Sequence, residues 1–169
     1  MADLVDVLIE DERWREFGLG ALAQQACDAS LRHFEMHRPS FEISLLGCDD
    51  VRISQLNSEY RQKPRPTNVL SWPSAERSAI NPGELPKVPT VAEGNIADLG
   101  DIAIAYETCR TEAEQAGKPH DQHVCHLLVH ATLHLLGYDH IVKLDAALME
   151  EMERQVLATL GYPDPYESD

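Results

Sequence analysis

The alternation of apolar and polar positions along the chain predicts short strands interleaved with longer amphipathic helices. Apolar or alternating runs predict strands over residues 4–9, 41–46, 69–72 and 99–105. Apolar residues at helical spacing predict helices over residues 19–36, 51–60, 106–116, 121–136 and 143–160. Pro39 is expected to end the first helix and Gly161 the last. Strands that interleave unevenly with helices are typical of an α+β or mixed α/β fold.

One stretch between the third and fourth predicted strands fits neither kind of element. Residues 73–97 contain four prolines and two glycines, too many interruptions for a regular core element. Such a loop is either a flexible lid beside an active site or a poorly ordered insertion, and its lack of a chemical motif favours the insertion. We therefore expect one catalytic domain over residues 1–162 and a frayed acidic tail over residues 163–169.

Composition narrows the class of protein. The chain has 169 residues, 43% of them hydrophobic, enough to bury a core without disulfide or metal staples. Its four cysteines form no CxxC pair, which indicates free thiols in a reducing compartment. No apolar run approaches the length of a membrane span, so a cytoplasmic location and no membrane partner are expected. The net charge of −15 argues against general coating of nucleic acids, because Lys and Arg supply most phosphate affinity.

The run HATLHLLGYDH contains the strongest chemical pattern in the chain. His130 and His134 are four residues apart, which places them on one face of a helix. Gly137 permits the chain to turn and to bring His140 toward the same point. Three imidazoles can hold one metal ion with a position left open, and they suit zinc, although nickel, copper or iron accept the same ligands. We expect one Zn²⁺ per chain, with Ni²⁺ as a possible substitute.

Two neighbouring residues are predicted to support this site without binding the ion. His126 continues the stripe of histidines, but its distance from His134 along the helix is roughly 12 Å, too far to share an ion. It is expected to line the pocket or to orient a ligand. Asp139 adjoins His140 and could either orient a ligand imidazole or stabilise the turn.

The histidine spacing also matches the ligand frame of the metzincin metalloproteases. In those enzymes a glutamate follows the first histidine and serves as the general base. This chain has Ala131 there, and a methyl group cannot accept a proton. Peptide hydrolysis is therefore a disfavoured alternative, and the nucleophile is left open.

A short basic segment indicates a phosphate-containing substrate. Residues 52–65 hold four cations and one anion, a local charge of +3, and Arg61, Lys63 and Arg65 lie close together near its end. On a chain of net charge −15, such a segment attracts phosphate to one place. The alternative is a solvated helix end, where the macrodipole favours cations.

Four sequence blocks, in order, resemble the YbeY family of bacterial metal-dependent endoribonucleases, which act in ribosomal RNA maturation. The resemblance covers about residues 41–160, through the blocks LNSEYRQK, PTNVLSWP, LGDIAIA and HATLHLLGYDH. It implies that the three histidines are zinc ligands and that Arg61, with His130, is catalytic. It also implies single-strand-specific cleavage in 16S rRNA 3′-end maturation and ribosome quality control. The implied fold is α+β, a small mixed β-sheet packed with helices around a central metal-bearing helix.

Three positions depart from the pattern of that family. Ala131 replaces a glycine, Trp72 a phenylalanine, and Pro64 an acidic residue in the loop that follows Arg61.

The expected partners are ribosomal RNA and the small ribosomal subunit, with Lys63 and Arg65 as RNA contacts and no DNA binding. The other alternative is a metal-containing ribosome-assembly factor with little nuclease activity.

Overall fold

The computed structural model describes residues 3–37 and 40–167 and shows a single α+β domain, as predicted. Within these ranges the strands are β1 (Val5–Ile9), β2 (Phe41–Cys48), β3 (Val69–Pro73) and β4 (Ala97–Ala105). The helices are α1 (Arg13–Phe17), α2 (Leu19–Arg32), α3 (Asp50–Arg61), α4 (Tyr106–Ala116), α5 (His120–Leu135) and α6 (Lys143–Thr159).

The four strands form one mixed sheet in the order β1-β2-β4-β3, which confirms the small mixed sheet. The first three strands in this order run parallel, with Leu45 of β2 beside Ile102 of β4. Strand β3 is antiparallel to β4 and places Ser71 beside the same Ile102. Because β3 lies at the end of the order, β4 occupies only one of its two edges.

Helix α5 lies at the centre of the fold. It packs against α2, α4 and α6 as well as against strands β3 and β4. Its apolar side chains are buried on the faces away from the histidine stripe, including Val124, Leu128, Ala131, Leu133 and Leu135. This packing fixes the helix rigidly, so the histidines on its remaining face are held at defined positions.

One short helix was not predicted, and the end of another differs from the prediction. The short helix α1 was not predicted, and it buries Trp14, whose Nε1–H donates to the Cys48 carbonyl at 2.9 Å. Helix α2 ends at Arg32 rather than near residue 36, because the chain turns at Glu35 with φ 59°. Pro39, which the sequence predicts as the end of this helix, lies outside the described residues.

The long loop between β3 and β4 lacks regular structure, as predicted, but it lies against the core. The Arg77 guanidinium donates to the Leu99 carbonyl at 3.2 Å and to the Leu135 carbonyl at 2.9 Å. Further along, the Gly83 amide donates to Asp145 Oδ1 at 2.8 Å. The loop therefore crosses the end of α5 and the start of α6.

All four cysteines are buried free thiols, which agrees with the prediction from their spacing. Burial raises the pKa of the Cys27 thiol to about 11 and that of the Cys125 thiol to about 12, so both stay protonated. Among the described residues, no helix has both the length and the apolar character needed to cross a bilayer.

Candidate metal centre and cleft

The end of α5 brings the three predicted histidines together. His130 and His134 lie on one face of the helix, and Gly137 follows with φ 103°, a left-handed conformation that glycine tolerates. The Tyr138 amide then donates back to the Leu133 carbonyl at 3.0 Å, which closes the turn. The reversed chain carries the His140 ring to 5.0 Å from the His134 ring, centroid to centroid.

The nitrogen atoms of the three rings converge on one point. One candidate ligand atom from each ring lies within 4.8 Å of the other two. The Nε2 atoms of His130 and His134 are 3.1 Å apart. Two nitrogens bound to one tetrahedral zinc at 2.0–2.1 Å are about 3.4 Å apart, so this spacing fits a shared ion.

Hydrogen bonds on the opposite ring nitrogens show that these residues suit a cation. His130 Nδ1 lies 3.0 Å from Glu153 Oε1, and His134 Nδ1 lies 2.9 Å from the Tyr138 carbonyl oxygen. Both oxygens accept, so each Nδ1 carries the proton in the neutral ring and each Nε2 presents a lone pair. Two facing lone pairs repel each other unless a proton or a metal ion lies between them.

The protonation equilibrium of His134 also favours a metal ligand. Burial, and after it the repulsion from positive charge on the neighbouring His130 and His140, lowers the pKa of this imidazole to about 4. The ring is therefore neutral near pH 7. Only a neutral imidazole offers the lone pair that a metal requires.

Glu153 of α6 is a buried acid that the sequence interpretation missed. Only 1% of its side chain is exposed, and its carboxylate accepts from His130 Nδ1, from His126 Nε2 at 2.8 Å and from the Tyr166 hydroxyl at 2.9 Å. Burial by itself would raise the pKa of Glu153, but the hydrogen bonds from the two histidines lower it to about 2. A fixed negative charge thus lies directly behind one candidate ligand.

The sequence contained a signal for Glu153. The buried stripe of α6 includes Met149, Val156 and Leu157, and Glu153 occupies the same stripe at helical spacing. An acid on an otherwise apolar helical face is uncommon unless a partner neutralises it. The partner itself could not be read from the sequence, because His130 is 23 residues away.

The two residues predicted to support the site, His126 and Asp139, make different contacts in the structure. His126 is outside the group of three candidate ligands, and its Nε2 lies 2.8 Å from Glu153 Oε1, the same oxygen that contacts His130. Asp139 Oδ1 accepts from the backbone amide of His140 at 2.7 Å. That contact matches the turn-stabilising alternative for Asp139 rather than a contact with a ligand ring.

Tyr166 belongs to the segment for which the sequence predicts a frayed tail. Its ring packs edge-on against His126 with centroids 5.5 Å apart, and its hydroxyl donates to Glu153. Tyr166 therefore lines the same pocket as the three histidines, and the last two residues of the predicted tail, 168–169, lie outside the described residues. The tyrosine hydroxyl finds a charged acceptor there, which offsets the cost of ordering this segment.

The three histidines open into a cleft of about 1090 Å³. The histidine face of α5 forms one wall, and β3 with the segment after α3 lines another part. The predicted cationic residues Arg61, Lys63 and Arg65 all line this cleft. Arg61, the last residue of α3, is exposed, and its Nη2 donates to the Ser71 carbonyl of β3 at 2.8 Å. The basic segment and the histidine group, 69 residues apart for Arg61 and His130, thus share one solvent-filled space.

Comparisons with known proteins place similar sequences in one family. A family model described as Endoribonuclease YbeY matches residues 6–161. The Endoribonuclease YbeY of Cereibacter sphaeroides is 52% identical over 167 residues, covering 98% of this chain and 100% of the relative. That of Methylocella silvestris is 41% identical over 169 residues, covering 99% and 88%. The solution structure of TM1509 from Thermotoga maritima has a TM-score of 0.54 at 16% identity, covering 97% of this chain and 99% of that one, and shows the fold alone.

Proposed function

This chain belongs to the YbeY family of endoribonucleases, hydrolases that act on RNA, and from that premise we propose that it cleaves single-stranded RNA within the cleft, using one zinc ion held by His130, His134 and His140. This proposal rests on one observation: the three histidines and three cationic side chains line the same cleft. One nitrogen from each of three imidazoles lies within 4.8 Å of the other two, and the three rings face the same cleft as Arg61, Lys63 and Arg65.

The three imidazoles determine which metal ions the site can hold and therefore which metal chemistry it can support. When bound, a zinc ion polarises a phosphoryl oxygen and lowers the pKa of water, and Ni²⁺ is an alternative for the same three imidazoles. Glu153 holds His130 in the correct tautomer, and the Tyr138 carbonyl does so for His134. Ala131, buried beside the first ligand, offers no proton acceptor, which distinguishes the site from that of the metzincin proteases.

Arg61 is proposed as the catalytic contact for the phosphate. A guanidinium has five N–H donors in a planar fork, and one hydrogen bond of Arg61 goes to the Ser71 carbonyl. The remaining donors are available to the non-bridging oxygens of a phosphodiester, on which negative charge grows during cleavage. Lys63 and Arg65 add positive potential along the same cleft and are proposed to contact neighbouring phosphates.

The natural substrate is proposed to be ribosomal RNA of the small subunit. We propose maturation of the 16S rRNA 3′ end and ribosome quality control as the cellular roles. This step is supported by the resemblance of the four sequence blocks to a family that acts in ribosomal RNA maturation. A preference for single strands is consistent with a cleft, because an unpaired strand can present its phosphates and bases separately.

The catalytic proposal is tested by separating metal binding from phosphate binding. We expect His130→Ala to lose both zinc and cleavage of a labelled single-stranded RNA. Arg61→Ala should keep about one zinc per chain but lose at least 10²-fold in kcat/KM, the typical cost of removing one charge-stabilising donor. Arg110→Ala is the control, because this exposed residue pairs with Glu114 on α4, away from the lining of the cleft. Undiminished cleavage by both cleft variants would contradict the proposal.

The ribosomal role needs a separate measurement in cells. Mapping of 16S rRNA 3′ ends should show unprocessed precursor when Arg61→Ala replaces the wild-type chain. Normal ends in that strain would instead favour the ribosome-assembly alternative, in which binding without cleavage is sufficient. Cleavage of a peptide rather than RNA by the zinc-loaded protein would favour the protease alternative.

A further inference from the structure

The outer edge of β3, the edge that does not pair with β4, lines the cleft but has no role in the chemistry proposed above. In an antiparallel pair, alternate residues direct their N–H and C=O groups toward the partner strand. The Ala105 amide donates to the Asn68 carbonyl at 3.0 Å, and the Ser74 amide donates to the Leu99 carbonyl at 3.0 Å. Even-numbered residues of this segment therefore face β4. The odd-numbered residues, 69, 71 and 73, direct their backbone groups away from it.

Two of these three outward positions offer no free donor. The Val69 amide donates to Asn68 Oδ1 at 2.6 Å, and Pro73 has no N–H. At Ser71 the carbonyl accepts from Arg61, but the amide has no hydrogen-bond partner among the residues that the structure describes. The outer edge of β3 therefore presents one free N–H, and it belongs to the residue that holds Arg61.

This pattern disfavours the addition of another strand. A strand that docks on an edge needs donors and acceptors at successive outward positions, and proline and capping side chains protect edges against such docking. On β3 a proline, an asparagine cap and an arginine occupy these positions. A single amide beside a guanidinium is instead suited to one anionic oxygen.

We propose that the Ser71 backbone amide and the Arg61 guanidinium together form one phosphate-binding site for RNA, each donating to a non-bridging oxygen of the same phosphodiester. In a strand such as β3, the N–H and C=O of an outward residue point to the same side, so an Arg61 guanidinium held at the Ser71 carbonyl lies next to the Ser71 amide. Both residues line the cleft that contains the three histidines.

The charged residues near Ser71 and Arg61 indicate which kind of ligand binds there. The chain carries a net charge of −15, yet Arg61, Lys63 and Arg65 follow one another in a single segment that lines the cleft, which favours an anionic ligand on that side. The acidic residues of the lining, Glu76, Asp139, Glu150 and Glu153, belong to other segments. This inference rests on the proposed function, because it assumes that Arg61 contacts the scissile strand. It adds that the backbone of β3 fixes the position of the phosphate.

A pair of substitutions at one residue tests the backbone donor. Ser71→Pro removes the N–H and keeps the carbonyl that holds Arg61, while Ser71→Ala keeps the N–H and removes only the hydroxyl. Pro73, in an equivalent outward position, shows that this edge accepts proline. We expect Ser71→Pro to lose about 10²-fold in kcat/KM for single-stranded RNA relative to Ser71→Ala, which keeps the amide. Arg110→Ala, outside the cleft lining, should stay within about twofold of wild type. Zinc content and melting temperature serve as the fold control.

Equal cleavage by zinc-loaded Ser71→Pro and Ser71→Ala would overturn the inference. If only Arg61→Ala then lost RNA cleavage, the proposed function would still stand. Failure of the wild-type chain to cleave RNA would instead count against the proposed function itself. If Ser71→Pro does not fold, an NMR titration of the zinc-loaded wild-type protein tests the inference instead. Titration of the ¹⁵N-labelled protein with a non-cleavable 2′-O-methyl oligonucleotide should move the Ser71 amide proton downfield. An unmoved Ser71 signal, while other cleft amides shift, would overturn the inference.

Discussion

Glu153 is the residue whose placement most affects the chemistry of its neighbours. Its carboxylate receives three donors in a position that is 1% exposed, and it touches the face of His130 opposite the converging nitrogens. A carboxylate in that position fixes the ring orientation and increases the electron density that the imidazole offers to a metal. Its negative charge also offsets part of the positive charge of a bound ion.

This role leads to a prediction for Glu153→Gln. The amide keeps the size of the side chain but loses the charge and directs an NH₂ group among donors. We expect zinc affinity to fall by about 10–100-fold, as is typical when a partner behind a ligand histidine is replaced. Competition with a chromophoric chelator measures this affinity. Glu151→Gln is the matched control, because Glu151 is exposed on the same helix and contacts Arg154. Unchanged zinc affinity in Glu153→Gln would contradict this role.

At the scale of elements, the turn after α5 decides whether three ligands or two are available. Gly137 has φ 103°, and a Cβ atom placed there would lie 2.4 Å from the Arg77 carbonyl oxygen. The loop between β3 and β4 therefore packs directly on this turn, where Arg77 also donates to the Leu135 carbonyl. The position of His140 depends on a contact between α5 and a loop that starts about 60 residues earlier.

Replacement of Gly137 by alanine tests this dependence. The unfavourable φ and the close backbone contact should together destabilise the fold by about 1–3 kcal/mol. For a chain of this size, that loss lowers the melting temperature by about 2–12 °C. Zinc affinity should fall as well, because His140 is displaced. The control is Gly20→Ala in α2, where a Cβ would meet nothing within 4 Å and alanine should stabilise the helix. Equal melting temperatures for Gly137→Ala and wild type would argue against this account of the turn.

At the scale of the whole molecule, charge is distributed unevenly. The chain has 29 acidic and 14 basic residues, whereas the cleft is lined by equal numbers of both. Four lining residues are basic, Arg61, Lys63, Arg65 and Arg77, and four are acidic, Glu76, Asp139, Glu150 and Glu153. The acidic remainder repels RNA over most of the surface, whereas the segment with Arg61, Lys63 and Arg65 is where we propose that RNA binds. RNA is therefore directed to one place, and binding should depend on a small number of phosphate contacts.

The salt dependence of RNA binding measures the number of these contacts. For single strands, the slope of log K against log[salt] changes by about 0.7 for each phosphate contact removed. Lys63→Ala and Arg65→Ala should each reduce the slope by about that amount in fluorescence-anisotropy titrations. Arg110→Ala, on α4, should leave it unchanged. Slopes for the cleft variants that match the wild-type slope would show that Lys63 and Arg65 are solvated and bind no phosphate.

Much of the fold and the grouping of the three histidines could be predicted from the sequence, because they depend on neighbours along the chain. The spacing of His130 and His134 defines one helical face, and a glycine three residues later defines the turn. Apolar periodicity gave the strands and all helices except α1, whose five residues are too few to show a period. The ordered blocks predicted Arg61 as a site residue, and the structure places it on the same cleft as the histidines.

The remaining features were decided by the tertiary structure, because they join groups distant in sequence. Glu153 reaches His130 only when α6 packs on α5, and Arg77 meets the histidine turn only when the loop crosses it. The free amide of Ser71 exists because β3 lies at the edge of the sheet, and no local pattern indicates the order of strands. By itself the sequence determined which side chains could bind a metal and a phosphate. The packing of helices and strands decided which partners orient them and where the two groups meet.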